Sequence, residues 1–359
     1  MPAPLSCRPA ALLLAAALAG GAPGAHALNI VFNDVGTSAM SREQFAAFES
    51  AAAFWQGRLT DPVTVYINIG FDNLGASALG TTTWAQREVG YGELRSLLTA
   101  DATSAVDASA VAHLQPGGSL SFVATQANLS TRMDRDGSLN NSRLKLTTAN
   151  AKALGLSAAT SAANPDATIR FANSYASSFA YSRAGGMAFD QIDFVSLAEH
   201  EIGHALGFVS GVDSIDACIS QPTHCGAVRG LEGRAWYTSL DLFRYSAPGT
   251  LNVSVGSGAQ PYFSVDGGET ALQSFATGRY HGDGTQASHF ADGGGSLMAP
   301  HMAYGGAYDA TSADLAALDA IGWDVNTAPV PVPVPEPATY ALLLSGLAVL
   351  AWAARRRRG

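Results

Sequence analysis

One short stretch, residues 198–208, constrains the fold of this chain more than any other. It contains the pattern His-Glu-x-x-His, which places histidines at His200 and His204 and a glutamate at Glu201. Side chains four residues apart share a face when the backbone is an α-helix, so the two imidazoles can then bind one metal ion. Glu201 lies one step round the helix and can reach a water molecule beside that ion. The pattern therefore predicts a metal-binding helix with a general base.

The residues around this stretch favour the same helix. Val195, Ala198 and Ile202 recur at helical spacing. Asp193 or Ser196 is available as the N-cap, since short polar side chains accept hydrogen bonds from the first free N–H groups. Gly207 is a suitable end point, because glycine tolerates the left-handed conformation that often terminates a helix.

Zinc is the metal that this pattern favours, since catalytic zinc sites use three protein ligands and keep a fourth position for water. The third ligand is not obvious. In the metzincin pattern, His-Glu-x-x-His-x-x-Gly-x-x-His, the last position here is Ser210, which is a poor ligand. The sequence offers five candidates elsewhere: His289, Asp213, His281, Glu232 and Glu269.

Two separate patches resemble the leishmanolysin-like branch of the metzincin zinc metallopeptidases. One is His-Glu-x-x-His-Ala-Leu-Gly-Phe at residues 200–208, and the other is His289 followed by Leu-Met-Ala-Pro at residues 297–300. The resemblance covers roughly residues 192–323. It implies that His200, His204 and His289 bind zinc, that Glu201 is the general base, and that Met298 lies beneath the metal.

The resemblance also implies a fold class and one further role. The expected fold is α+β and metzincin-like, with an N-terminal mixed sheet and packed helices, a loop-rich C-terminal subdomain, and a zinc cleft between them. Tyr304 is a candidate to stabilise the oxyanion, as a tyrosine after the methionine turn does in some metzincins. The chain departs from leishmanolysins in having only three cysteines, and none between the N-terminal segment and Cys218. A propeptide cysteine switch is therefore absent.

Both ends of the chain are typical of an exported protein. Residues 1–27 contain an arginine, a short apolar run and Ala-His-Ala, which together predict a secretory signal peptide. Residues 327–335 alternate proline and valine and predict an extended linker. Residues 335–359 combine Pro-Glu-Pro, an apolar run and four arginines, and so resemble the PEP-CTERM sorting tail of Gram-negative bacteria.

The resemblance of the tail implies a route and a set of partners. An exosortase would act on a membrane helix that anchors the protein transiently in the inner membrane, and the product would reach the cell surface or the extracellular matrix. A permanent single-span anchor is the alternative. The formal net charge of −9 argues against nucleic acid as a partner.

Two further sites are suggested by local patterns. Cys218 and Cys225 are close in sequence in an exported protein and predict a disulfide, with a second metal site as the alternative. Asp134, Asp136 and Asn140 place alternating oxygen ligands around a glycine and resemble a calcium loop. That loop lacks the closing glutamate of an EF-hand, so a plain polar turn is the alternative.

The resemblance implies one metallopeptidase domain over residues 28–326, divided near residue 208. Its predicted strands are residues 28–33, 63–70, 119–125 and 167–172, and its further helices follow Ser41 and span residues 91–99 and 314–321. The strand at 167–172 is a candidate to line the rim of the cleft and to bind extended substrate, and the alternative is one more strand of the sheet.

The predicted function is that of a zinc endopeptidase which hydrolyses protein or peptide substrates. Two other classes stay open. One is a surface or biofilm-matrix protein with a structural zinc site, and the other is a zinc hydrolase with a non-protein substrate.

Overall fold

The computed structural model describes residues 28–326, except for positions 38, 76–77, 226–230, 257 and 294. This part of the chain contains eight α-helices. They are α1 (Arg42–Gln56), α2 (Tyr91–Asp101), α3 (Ala105–Ala112), α4 (Leu139–Ser142), α5 (Thr148–Ala153), α6 (Phe194–Leu206), α7 (Val212–Ser220) and α8 (Ser312–Ala320).

The same residues contain fourteen strands. They are β1 (Asn29–Asp34), β2 (Thr64–Asp72), β3 (Gly80–Trp84), β4 (Gln86–Gly90), β5 (Phe122–Thr125), β6 (Thr131–Asp134), β7 (Arg143–Thr147), β8 (Ala167–Ala172), β9 (Phe179–Ala180), β10 (Ile192–Asp193), β11 (Arg244–Ala247), β12 (Thr250–Leu251), β13 (Tyr262–Phe263) and β14 (Gln273–Ser274). The predicted mixture of helices and strands is confirmed.

A four-stranded mixed sheet organises the first half of the described chain. Its order is β1-β2-β8-β3, with β1, β2 and β8 parallel and β3 antiparallel to β8. The predicted strand at 167–172 is confirmed, but its expected place at the rim of the cleft is wrong. β8 pairs on both sides, and β3 forms the edge instead.

Helix α1 packs on this sheet and holds helix α6. Its N-cap is Ser41, as predicted, and its buried face includes Phe48 and Trp55. The Phe48 ring lies 5.4 Å from that of Phe171 on β8 and 5.2 Å from that of Phe194 on α6. Aromatic rings at such separations combine large apolar burial with favourable edge contacts, so this cluster fixes α6 against the sheet.

Two buried tryptophans tie the middle and the C-terminal end of helix α6 to the rest of the core. The indole N–H of Trp55 donates to the carbonyl oxygen of Glu199 at 2.9 Å, and that of Trp323 donates to the carbonyl oxygen of Leu206 at 2.8 Å. Both tryptophans are fully buried. Because an unpaired buried indole N–H is costly, these bonds specify where α6 lies relative to helix α1 and to the end of α8.

The chain after α6 is less regular. It contains α7, a small sheet in the order β12-β11-β13-β14, and then α8. Among the described residues between 275 and 311, none belongs to a helix or a strand of this set. The expected boundary near residue 208 stays a prediction.

The expected signal peptide, the Pro-Val linker and the membrane helix of the tail lie outside the described residues. Among those that are described, no helix has both the length and the apolar character needed to span a membrane.

Candidate metal centre

Helix α6 presents the His-Glu-x-x-His residues from the interior of the molecule. Asp193 is the N-cap and its side chain accepts from the N–H of Ser196. The helix ends at Gly207, whose φ of 122° turns the chain sharply away. Every residue of α6 is buried. The predicted helix, one of its two candidate caps and its end are thus confirmed.

Three imidazoles converge above this helix. The Nε2 atom of His204 lies 3.1 Å from that of His200 and 3.2 Å from that of His289. The Nε2 atoms of His289 and His200 are also 3.2 Å apart. The structure therefore brings His289 to His200 and His204 from far downstream in the sequence, and the three side chains form a group that could hold a metal ion.

The hydrogen-bond partners of the other ring nitrogens define the tautomers. His200 Nδ1 faces the Leu297 carbonyl oxygen at 2.8 Å, and His204 Nδ1 faces that of Phe208 at 2.7 Å. His289 Nδ1 faces the carbonyl oxygen of Gln286 at 3.1 Å. A carbonyl oxygen only accepts, so each Nδ1 carries the proton and donates it. In the neutral rings, each Nε2 then offers a lone pair.

Burial keeps these rings neutral. It lowers the pKa of His200, and burial together with the two neighbouring imidazoles lowers the pKa of His204 further. Burial, followed by the charge of His200, lowers the pKa of His289 to about 3. Three unprotonated nitrogens in close contact repel one another unless a cation lies between them.

The distances fit zinc. Zinc binds histidine nitrogen at about 2.0–2.1 Å with tetrahedral geometry, which places two such ligands roughly 3.3–3.4 Å apart. The observed separations of 3.1–3.2 Å are close to this value. The three residues present thus fit a zinc ion with the fourth position left to a small ligand.

Asp213, one of the alternative ligands, has a different role. Its Oδ1 accepts from the N–H of Ala287 at 2.6 Å, and its Oδ2 accepts from the N–H of Ser288 at 3.0 Å and from the Ser288 hydroxyl at 2.5 Å. Ser288 Oγ in turn accepts from the N–H of Ser210 at 2.8 Å. Asp213 therefore holds the loop that carries His289 and is not in the metal group.

The remaining alternatives are also outside the group. His281 Nδ1 lies 2.8 Å from an oxygen of Asp216. Glu232 lies beside Asp134 and Asp136, and Glu269 is exposed.

Met298 packs directly against helix α6. Its Sδ would lie 2.6 Å from a Cβ added at Gly203, so only glycine permits this contact without displacement. Met298 belongs to a turn at residues 297–300, and Asp314 holds this turn in place. Its two carboxylate oxygens accept from the N–H groups of Leu297 at 3.0 Å and Met298 at 3.1 Å. The same carboxylate also accepts from the N–H of Thr311 at 2.7 Å, and so fixes the turn to the start of α8.

Glu201 points towards the edge strand β3. The Thr82 hydroxyl donates to Glu201 Oε2 at 2.6 Å, and a Cβ added at Gly80 would lie 2.6 Å from Oε1. Burial raises the pKa of Glu201 to about 7, and the hydrogen bond from Thr82 opposes the rise. The hydrogen bond therefore holds the carboxyl group in place, and a pKa of about 7 means that near neutral pH both its protonated and its ionised forms are populated.

A cleft of about 470 Å³ opens over these residues. Its walls are β3, the histidine group, and the segments around residues 284–289 and 299–302. Tyr304 is 55% exposed and does not line the cleft, so its predicted role in stabilising an oxyanion gains no support from its position.

Cys218 and Cys225 form a disulfide, as predicted. It joins the last turn of α7 to the segment that follows the helix, and it excludes the alternative in which these thiols bind a second metal.

Three residues that contribute to the centre were not assigned their roles from sequence: Thr82, Asp213 and Asp314. The spacing Thr311-x-x-Asp314 is a capping-box pattern, so the position of Asp314 at a helix start could have been found. Thr82 gives no local signal, because its contact with Glu201 depends on which strand forms the sheet edge.

Comparison with known protein families matches residues 333–358 to the PEP-CTERM protein-sorting motif. This confirms the predicted sorting tail and indicates export, surface sorting in a Gram-negative bacterium and processing by an exosortase. Comparison with curated proteins and with solved structures gives no match. The resemblance to leishmanolysin-like peptidases accordingly rests on the motif residues alone.

Proposed function

We propose that this protein is an exported zinc-dependent endopeptidase in which His200, His204 and His289 bind the metal and Glu201 is the general base. The observation that carries the proposal is the convergence of three buried Nε2 lone pairs beside a carboxyl group at the floor of an open cleft. A site of this composition favours hydrolysis assisted by a metal.

Zinc, when bound, would lower the pKa of a coordinated water molecule and polarise the carbonyl group of the substrate. Glu201 accepts a proton from the attacking water and returns it to the leaving amine. Its pKa, raised by burial to about 7, suits both transfers, although the charge of the metal would lower that value. Oε1 is the oxygen available for this task, because Oε2 accepts from Thr82.

The edge strand β3 supports a peptide as the substrate. No strand of the described chain pairs with its outer side, and its residues Gly80–Thr82 line the cleft next to Glu201. An extended peptide can add to such an edge through main-chain hydrogen bonds, which act on any sequence. The scissile bond would then lie across the histidine group. A sugar or an ester has no equivalent means of pairing with a strand.

The alternative of a purely structural zinc site agrees less well with the geometry. Structural zinc is bound by four protein ligands, whereas the metal group of the described chain contains three histidines and borders a cleft. Glu201 also lies where a general base is needed, and a structural site has no use for one.

The test is the hydrolysis of casein by the zinc-loaded protein and by Glu201→Gln. The substitution removes the proton acceptor and leaves the three imidazoles in place, so we expect one zinc per chain and a loss of several orders of magnitude in kcat. Glu49→Gln, on the exposed face of α1, is the matched control and should retain full activity.

Two results would contradict the proposal. Full casein hydrolysis by Glu201→Gln excludes Glu201 as the base. Stoichiometric zinc without hydrolysis of any peptide, in the wild-type protein, would favour the structural-site alternative.

The anchoring of the protein is part of the same proposal. The signal peptide of residues 1–27 would direct export, and the tail of residues 335–359 would hold the protein in the inner membrane until an exosortase removes it. The active protein would then act at the cell surface or in the extracellular matrix.

A further inference from the structure

A second cluster of potential metal ligands lies at the loop between β6 and α4. Asp134 ends β6, Asp136 follows it, and Glu232 approaches from a short 3-10 turn much later in the chain. The three carboxylates each place an oxygen within 4.8 Å of the others. The local sequence lacks a closing glutamate, and Glu232 supplies one from a distance.

Asp134 is the unusual member of this cluster, because it is almost fully buried. Only 1% of its surface is exposed. One carboxylate oxygen, Oδ2, accepts from the Asn140 amide at 3.0 Å, but the other, Oδ1, is buried without any hydrogen-bond donor. A buried carboxylate oxygen without a partner is costly, and a bound water molecule or ion is one way in which native structures satisfy such a group. The carboxyl group that carries this oxygen faces Asp136 and Glu232.

Among the described residues, the negative charges of the cluster are only partly balanced. Arg132 is the cation beside it, with its guanidinium nitrogen 2.5 Å from Glu232 Oε1, 3.9 Å from Asp136 Oδ2 and 4.0 Å from Asp134 Oδ2. One guanidinium against three carboxylates leaves two negative charges. A divalent cation would neutralise them, and if both oxygens of Asp134 bound it, Oδ1 would gain the partner that it lacks.

We infer that this cluster is a calcium site formed by Asp134, Asp136 and Glu232, with the side-chain oxygen of Asn140 as a further ligand. The Asn140 amide now donates to Asp134 Oδ2 and Glu232 Oε2. Rotation of the amide by half a turn exchanges its NH₂ group for its oxygen, which then faces the same carboxylates. The Arg132 side chain is 45% exposed and can turn outward to solvent.

The ligand set selects calcium among divalent ions. All candidate ligands are oxygens, which hard cations prefer to the nitrogen and sulfur ligands of zinc. Calcium accepts six to eight oxygens in flexible geometry, whereas magnesium needs a nearly ideal octahedron and retains several waters. Carboxylates from two distant segments suit the flexible geometry of calcium better than the regular octahedron of magnesium.

A cation here would join two parts of the molecule. It would tie the β6–α4 loop to the turn at Leu231–Gly233, which leads within a few residues to Trp236 and Tyr237. The Tyr237 carbonyl oxygen accepts from the N–H of Lys145 on β7 at 2.8 Å, so this segment is already paired with the β7 side of the molecule. Calcium would therefore stabilise the fold without contact with the histidine group.

The inference is tested on the full-length chain carrying Glu201→Gln, which prevents self-digestion. The protein is freed of calcium on a chelating resin, loaded with zinc, and titrated with calcium in a calorimeter and in thermal unfolding. We expect one calcium per chain and a Tm that rises until the site is saturated. Magnesium at the same concentration should give little or no rise.

Opposite effects of two substitutions make the test specific. Asp134→Asn removes one ligand charge and should weaken calcium binding by at least about tenfold. Arg132→Ala removes the competing cation and should strengthen it. Glu49→Gln is the control and should bind calcium as the parent does.

The absence of a calcium-dependent rise in Tm in the parent protein would overturn the inference, whatever Arg132→Ala does. In that case Arg132 would be the permanent counter-ion of the cluster. An equal calcium response in the parent and in Asp134→Asn would overturn it too, because the ion would then bind elsewhere.

Discussion

Asp213 accepts a hydrogen bond from the backbone N–H of Ser288 at 3.0 Å, and Ser288 immediately precedes the third histidine, His289. Asp213 lies in the first turn of α7, only a few residues after helix α6, whereas Ser288 comes from the irregular region far downstream. This contact links the two parts of the chain that supply the three clustered histidines. Ser210, which occupies the histidine position of the short metzincin pattern, takes part through its backbone N–H to Ser288 Oγ at 2.8 Å.

The first prediction concerns this link. Asp213→Ala removes the acceptor for two backbone N–H groups and one hydroxyl, so the loop bearing His289 loses its position. We expect weaker zinc binding and lower activity, with a smaller loss of affinity than His289→Ala causes, because the ligand itself remains. Competition with a chromogenic chelator measures the zinc affinity of each variant, and circular dichroism checks the fold.

The control for this series is His281→Ala. His281 faces Asp216 and not the metal group, so its removal should leave one zinc per chain. The assignment of ligands would be wrong if His289→Ala kept zinc and Asp213→Ala lost it. An unchanged zinc affinity in Asp213→Ala would instead remove the positioning role.

The local sequence around the centre was enough to predict helix α6 and its ends. Periodicity, a polar N-cap and a glycine at the end each act within a few residues, and Asp193 and Gly207 occupy the expected positions. Helix α1 after Ser41 and strand β8 were predicted for the same reason. His289 was placed by a resemblance, because nothing in its own surroundings distinguishes it from His281.

Contacts between distant segments could not be read from the chain. The order of the sheet decides that β3 is the edge beside Glu201, and strand order depends on pairing that local patterns do not encode. Asp213 illustrates the same difficulty. From sequence alone, a carboxylate at this position could bind a metal or hold a loop. Asp213 holds a loop because residues 287–288 lie beside it, and no local pattern predicts that contact.

The second prediction concerns the hydrogen bond between Thr82 and Glu201. Thr82→Val keeps the shape of the side chain but removes the donor to Glu201 Oε2. A hydrogen bond to a charged group contributes about 1.5–3 kcal/mol, so we expect kcat/KM to fall by roughly ten- to a hundredfold while the zinc content stays unchanged. Steady-state hydrolysis of a quenched fluorescent peptide, with metal analysis, provides the measurement.

Thr83→Val is the matched control, since Thr83 lies next on the same strand and is exposed. It should alter kcat/KM little. Equal losses in the two variants would show that the strand, and not the bond to Glu201, is responsible.

The third prediction concerns the packing of Met298 against helix α6. Gly203→Ala would place a Cβ 2.6 Å from Met298 Sδ, and the indole of Trp55 lies 3.5 Å from the same point. Overpacking of a buried core costs about 1–3 kcal/mol, which exceeds the gain of about 1 kcal/mol from replacing a helical glycine. We expect a lower unfolding free energy in urea with an unchanged m-value.

Gly92→Ala provides the contrasting case, because Gly92 lies in helix α2 and an added Cβ would meet its nearest neighbour, the Gly118 Cα, at 3.6 Å. That is ordinary contact, so Gly92→Ala should stabilise the protein by up to about 1 kcal/mol. Stabilisation by both variants would show that Met298 gives way without cost.

The last prediction concerns a group of aspartates far from the metal centre. Burial raises the pKa of Asp61 to about 7, and the charge of Asp324 contributes to the rise. Burial likewise raises the pKa of Asp101 to about 7 and that of Asp319 to about 6, with the charges of Asp107 and Asp324 adding to both. The charges that raise these values belong to neighbouring carboxylates, so ionisation of one member opposes ionisation of the next.

The direction of the pH effect follows from these raised values. An unfolded aspartate has a pKa of about 3.9, so between about pH 4 and pH 7 the folded protein holds more protons than the unfolded chain. The contribution of these groups to stability is therefore greatest below about pH 4 and is lost as the pH rises through about 6–7.

Asp101→Asn removes one ionisable member, at the C-terminal end of helix α2 where a negative charge is also disfavoured. Urea unfolding of the Glu201→Gln protein should show a stability that falls less steeply from pH 5 to pH 8 when Asp101→Asn is added, with a higher value at pH 8. Glu49→Gln, on the exposed face of α1, should leave the slope as it was. An unchanged slope in Asp101→Asn as well would mean that folding does not raise the pKa of Asp101.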